Sequence, residues 1–400
     1  ASYAADVKSV IRIRMKPPKG DGFSGILRSD NGFQHYFRTG NSLDLKYRTG
    51  GLEIFANYGW WRGNTRFDRL NDMNTTTSKG TYRQFVSTIG KESYNDMTGK
   101  LGFSYMINDR HSIGAYYQNS WNRHNTDGTI PSEIWQNGIL LDLYNSDVHN
   151  QSTAVPRHYA NIYYNGIVGK LNIDFNADYI WYKSRELTFN NELSEMGNDR
   201  EVNTSSINRN RMFAEKLVMT YPLWKGQIEI GEEYTNTRTT NLFSANIPET
   251  PNADNRVDEN NIAVFAELGQ QFGRFMIGAG LRYEHVKFNY YEMGLLRDGQ
   301  SKTYKDIFPS LNIATEVGKV RMGLNYTGKT IRPGYDQLDG AISYINRLTY
   351  ETGNHYLKPT KLQTVEYMAQ WRRFFAQLSY TYFKDGVYHI TEPYGPEGEA

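Results

Sequence analysis

From Leu171 the chain alternates. Leu171, Ile173, Phe175, Ala177, Tyr179 and Trp181 take every second place, with Asn172, Asp174, Asn176 and Asp178 between them. In an extended strand successive side chains leave opposite faces, so this segment has one apolar face and one wet face. The same parity recurs in Leu52, Ile54, Ala56, Tyr58 and Trp60, in Leu101, Phe103, Tyr105 and Ile107, in Val320, Met322, Leu324 and Tyr326, and in Phe374, Ala376, Leu378, Tyr380 and Tyr382. About sixteen such runs are legible, many longer than the roughly five or six residues usual for soluble strands. No segment has a clear helical period.

The connections fall into two kinds. Tight ones are Thr49-Gly50-Gly51, Asn108-Asp109-Arg110, Val168-Gly169-Lys170, Leu223-Trp224-Lys225-Gly226, Phe272-Gly273-Arg274, Val317-Gly318-Lys319 and Arg372-Arg373. Their Gly, Asn and Asp residues tolerate the positive φ of hairpin turns. Between them lie long polar segments, around 62–80, 123–156, 190–206, 240–257, 290–303 and 331–361, which read as long loops. Tight turns at one end and long loops at the other are the pattern of outer-membrane barrels. The fold predicted is all-β, a transmembrane antiparallel up-and-down β-barrel. Lys100, Asp174, Asp178, Gln227, Glu229, Glu233, Arg321 and Asn325 lie on the polar parity and would line its lumen.

Composition agrees. The chain holds 31 Tyr, 19 Phe and 7 Trp in 400 residues, yet its mean hydropathy is −0.68. Barrels in membranes need aromatic girdles at both interfaces on an otherwise polar chain. Trp60, Trp121 and Trp181 each lie about ten residues beyond a tight turn, on the apolar parity. Ten residues at roughly 3.4 Å, tilted by about 40°, rise about 26 Å, close to the roughly 25 Å apolar band of such barrels. These three would form the outer girdle; Trp224 and Trp371, at tight turns, would form the inner one. No run approaches the roughly 18 apolar residues of a membrane helix. A net charge of +2, from 45 Lys+Arg and 43 Asp+Glu, argues against a nucleic-acid partner.

Little else points to chemistry. There is no cysteine, and the eight histidines (35, 111, 124, 149, 158, 285, 355 and 389) have no metal-ligand spacing. Gly278-Ala279-Gly280 lacks the third glycine of a dinucleotide loop, and neither a nucleophile elbow nor a Walker loop occurs. Glu232 and Glu233 would leave opposite faces of one strand, so they are no acid–base pair. The expectation is a protein that is not an enzyme and carries no cofactor. Aromatic and amide side chains crowd the segment holding Trp121, Asn122, Trp135, Asn137 and Tyr144. Rings that stack beside amides that hydrogen-bond suit a polar ligand, so these five are candidate binding residues on extracellular loops.

Two stretches resemble a known family. Asp6-Val7-Lys8-Ser9-Val10-Ile11-Arg12-Ile13, followed by Pro17-Pro18, resembles the last plug strand of TonB-dependent outer-membrane receptors. Ile331-Arg332-Pro333, Leu338, Tyr344, then Gly353-Asn354-His355-Tyr356-Leu357-Lys358-Pro359 and Glu366-Tyr367, is similar to the Bacteroidetes-type outer-membrane barrel family. His355 stands where that pattern has proline, and Asp339 where it tends to Asn. The resemblance implies residues 1–19 as a plug remnant and 20–400 as part of a barrel of about twenty-two strands, incomplete at its C-terminal end. It implies energy-coupled uptake of a siderophore, glycan, peptide or cofactor across the bacterial outer membrane. Implied partners are outer-membrane lipid, a TonB-type periplasmic coupling protein and a possible surface lipoprotein. Two alternatives stay open on the residues alone: a passive porin-like channel of about sixteen strands, and a non-membrane surface adhesin.

Overall fold

The computed structural model describes residues 20–390 and 392, except 78, 339, 341 and 348. The plug-like opening at 1–19, Asp339 and the last residues of the chain lie outside them. The strands are β1 (Gly22–Phe33), β2 (Phe37–Thr49), β3 (Leu52–Thr77), β4 (Gly80–Asn108), β5 (His111–Gln136), β6 (Ile139–Val168), β7 (Leu171–Ser194), β8 (Arg200–Leu223) and β9 (Gly226–Ala245). They continue as β10 (Ala253–Phe272), β11 (Phe275–Glu292), β12 (Leu295–Leu296), β13 (Lys302–Val317), β14 (Val320–Ile331), β15 (Ile342–Asn346), β16 (Thr349–Thr352), β17 (Thr360–Trp371) and β18 (Phe374–Lys384), with a one-turn helix α1 (Tyr335–Leu338) before β15.

Sixteen of these form one antiparallel up-and-down sheet in chain order. β12 pairs only with β11, and β15 and β16 make a separate hairpin. Among the described residues β1 and β18 each pair on one side only. All seven predicted tight connections are two-residue turns. Their first residue takes the left-handed region at Gly169 and Gly318, both with φ 62°, and even at Trp224 (53°) and Arg372 (51°). A β-carbon there is tolerated because closing the hairpin outweighs the local strain.

The opposite end corrects the loop assignment. Most of the polar segments are not loops. β3 to β8 run 24–30 residues each, far beyond an apolar band, and β3–β4 and β5–β6 turn in two residues. The β5–β6 turn is Asn137-Gly138, both at positive φ (51° and 84°), as its type demands. Above the lipid both faces of a strand meet water, so the apolar alternation vanishes while the backbone ladder continues. Polarity reports the solvent there, not the end of the strand. Among the described residues the longest connection between neighbouring strands of the sheet is 332–359.

The register shows strand tilt. Direct partners can be followed from Ile54 through Phe103, Ala115, Ile162, Ala177, Glu215, Tyr234 and Ile262 to His285. Ile54 is two residues above its turn strand-end (Leu52), whereas His285 is ten above Phe275. This steady climb is the stagger that tilted barrel strands require. Residues on that parity include the exposed Leu101, Phe103, Tyr179, Ile262, Val264, Leu281 and Ile307, a continuous apolar face. Glu215 and Glu232 interrupt it, and no described ion pair reaches either. Phe175 lies mid-face between Tyr164 and Leu217. Phe175→Arg should disfavour insertion by about 2–4 kcal/mol, read as a lowered folded fraction in liposomes; unchanged insertion would place Phe175 away from lipid.

Candidate functional site

The opposite parity faces inward and is polar low in the wall. The Lys100 ammonium sits 3.7 Å from the Tyr116 ring centre. The Tyr116 hydroxyl donates to Tyr159, which donates to Asp178 at 2.7 Å, and Asn161 donates to the same carboxylate. Higher up, this face changes character. On β11 the lipid-facing apolar positions are odd (Leu281, Tyr283), but Val286, Phe288 and Tyr290 are even and buried. An apolar residue on the lumen side needs a cover, and the 332–359 connection supplies it. Leu338 packs on Val257, Phe288 and Tyr290.

The same connection then reaches β7, six strands from β14 in the sheet order. Glu192 of β7 is fully buried. Its carboxylate accepts hydrogen bonds from the Tyr344 hydroxyl and from Arg347 Nε at 2.7 Å. Arg347 also approaches Asp142 at 3.5 Å and lies over the Tyr144 ring. Arg200 lies over the Tyr344 ring. Burial raises the Tyr344 hydroxyl pKa above its ordinary value, and the Glu192 carboxylate beside it adds to the rise. At its root the connection is held by Arg332, which donates to Glu284. Glu284 also takes Arg282 Nε at 2.6 Å, and Arg282 lies 3.4 Å from Glu233. Both Arg282 and Glu284 are buried. Lys302 Nζ donates to the carbonyls of His355 and Leu357. The segment is thus an inward-folded strap, held at its root by the Arg332–Glu284 ion pair, in its middle by Arg347–Glu192, and near its far end by the Lys302 hydrogen bonds.

The five candidate binding residues do not converge, and four of them stand on strands rather than loops. Trp121 and Asn122 are in β5, where Asn122 donates to Asp96. Trp135, also in β5, donates to Glu133. Asn137 is in the tight turn, its side-chain oxygen taken by the Thr81 amide. Tyr144 is buried on the inner face beside Arg347, with Gln84 donating to its hydroxyl. Trp121 and Trp135 share the outward parity, while Asn122 and Tyr144 point inward. Only Tyr144 belongs to the strap contact. Of the girdle candidates, Trp60 and Trp121 both pair with Met97, and Trp181 pairs with His158. Trp224 is in a turn and exposed, and Trp371 stacks on Phe374. Among the described residues no cluster of three or more His, Cys, Asp or Glu could hold a metal.

No local pattern in the sequence marks Glu192, Arg347, Arg282 or Glu284. The parity switch at Val286 was the available signal for the strap.

A tilted antiparallel sheet with a lipid-facing apolar side and a covered polar side defines an outer-membrane β-barrel protein. The chain belongs to the outer membrane protein beta-barrel family, whose profile matches residues 168–396. It is a protein of the bacterial outer membrane. No curated protein matches the chain. Among solved structures it is similar to BauA, the ferric preacinetobactin receptor from Acinetobacter baumannii, at 10% identity over 92% of this chain and 63% of that one, with a TM-score of 0.39. It is also similar to the outer membrane protease OmpT from Escherichia coli, at 10% identity over 72% of this chain and 97% of that one, with a TM-score of 0.22. The chain thus spans less than two thirds of the receptor's length.

Proposed function

We propose that the protein is a TonB-dependent outer-membrane receptor, which binds a ligand at its upper lumen and imports it by energy coupled from the inner membrane. The observation that carries this reading is the strap. A passive pore gains nothing from burying the charges of Glu192 and Glu284 to hold a connection across its inner wall. A receptor that must stay closed until ligand and energy arrive does. The plug-like sequence at Asp6–Ile13 supports the same reading, as do lumen-wall rings and amides able to hold a polar solute. In this reading the protein catalyses no covalent reaction, needs no cofactor, and works with a TonB-type coupling protein; a surface lipoprotein would hand over ligand.

The test is uptake in cells carrying the full-length protein, with siderophore, glycan, peptide and cofactor panels, with and without a protonophore. Accumulation of one class that stops when the proton gradient collapses supports the receptor. Uptake that persists unchanged without the gradient replaces it with a porin-like channel.

A further inference from the structure

Above the apolar face the outer wall turns basic over β7 and β8. Distance from the tight turn measures height along tilted strands. On β7, Trp181 stands ten residues above Leu171, Lys183 twelve and Arg185 fourteen. On β8, Arg211 stands twelve above Leu223 and Arg209 fourteen. All share the parity of Phe175 and Tyr179, so they point outward. Register places Arg211 directly across from Trp181, and Arg209 directly across from Lys183. On its other side Arg211 is directly across from Arg238 of β9.

Like charges directly opposed across strands destabilise a sheet, and here two such pairs adjoin. Arg238 is relieved by Asp258 at 2.6 Å. Lys183, Arg185, Arg209 and Arg211 have no carboxylate partner among the described residues. Arg185, Arg209 and Arg211 are exposed. Immediately below, Tyr117, His158, Ala160, Tyr179, Trp181 and Arg211 line a shallow outward cavity, with the His158 ring 4.8 Å from that of Trp181. Four uncompensated cations sit at the level where the apolar face ends, over an aromatic cavity. That is complementary to one occupant: a phosphate-bearing headgroup whose acyl chains continue down the wall.

We propose that this patch is a binding site for an anionic lipid of the surrounding leaflet. Lys183, Arg209 and Arg211 hold its phosphate, and the first acyl carbons lie in the cavity against Tyr179 and Trp181. Two guanidinium groups offer forked donors to phosphate oxygens. The lipid anion supplies the countercharge that the opposed cations lack.

The test is native mass spectrometry of the full-length protein in neutral detergent, titrated with dioleoyl phosphatidic acid, dioleoyl phosphatidylcholine or inorganic phosphate. One phosphatidic acid should be retained at least tenfold more tightly than phosphatidylcholine, with no comparable adduct of free phosphate. Each basic residue at an anionic surface contributes about a fivefold step in affinity, so Lys183→Gln/Arg209→Gln/Arg211→Gln should lose on the order of a hundredfold. Arg211→Gln alone, which keeps most of the sheet charge unaltered, should lose about fivefold. Lys225→Gln, in the turn at the opposite end, should change nothing. Equal retention of both lipids overturns the site, as does an unaltered affinity in Arg211→Gln or an equal loss in Lys225→Gln. Free phosphate bound as tightly as the lipid overturns the lipid as occupant.

Discussion

Glu192→Gln should release the strap. The substitution keeps the shape of the side chain and removes its charge. Arg347 then stays largely buried, with only Asp142 at 3.5 Å to balance it, and Tyr344 donates to an amide instead of a carboxylate. Removing one partner of a buried ion pair costs about 3–5 kcal/mol, more than a short hairpin docked by few apolar contacts can absorb. The loss should therefore appear as undocking of β15–β16 with the sheet intact. The chain has no cysteine, so nitroxide labels at Ile345→Cys and Leu193→Cys report the hairpin–wall distance without background. A single narrow distance in the parent and a broad, longer one in Glu192→Gln are expected; identical distributions would show that the carboxylate does not hold the strap. The pH dependence has a definite sign. The Tyr344 hydroxyl must keep its proton to donate, and its pKa is raised in the folded state above the ordinary 10.0. Its contribution is then complete below about pH 10 and is lost as pH rises beyond that. The narrow distance should persist at neutral and mildly alkaline pH and broaden only in strong alkali.

Much of the wall was legible because lipid enforces a simple rule. Every second residue from Leu171 to Trp181 must be apolar, and the seven two-residue turns carry their own chemistry. Legibility ended where the rule ended. Residues 123–156 carry no sustained alternation of apolar with polar positions, so their hydropathy does not distinguish the β5–β6 ladder from a loop; backbone pairing does. The candidate site suffered more. Trp121, Asn122, Trp135 and Asn137 have the side-chain types of a binding site, yet type does not say which face a residue takes. A one-residue register shift between Ser120 and Asn122 against β6 changes which β6 residues share the inner face above it. The residues that fix the strap are charges far apart in sequence, such as Glu192 and Arg347. Their pairing depends on a connection folding inward, which local periodicity cannot express. Val286, Phe288 and Tyr290 could have shown it: apolar residues on the lumen parity require something to bury them.

Arg282→Met should be the most damaging single change in the wall itself. Arg282 is the shared cation of two carboxylates, bonding Glu284 at 2.6 Å and standing 3.4 Å from Glu233. Without it, Glu284 retains Arg332, and Glu233 retains only Lys216 at 3.7 Å. Methionine approximates the volume but leaves two acids on one lumen face with weaker compensation, a loss of about 3–5 kcal/mol. Urea unfolding in liposomes should show a lower midpoint at unchanged slope. A shift below about 1 kcal/mol, the size of an exposed pair, would mean that lumen water already screens the cluster. Arg282→Met/Glu284→Leu should cost less than the single change, because it removes a buried acid together with its partner. The double variant should nevertheless loosen the strap, since Arg332 at its root loses the carboxylate that anchors it. Stability and strap docking would then move in opposite directions from single to double variant. That outcome would establish Glu284 as the joint through which the wall holds the strap; parallel changes in both would show that the two are merely neighbours.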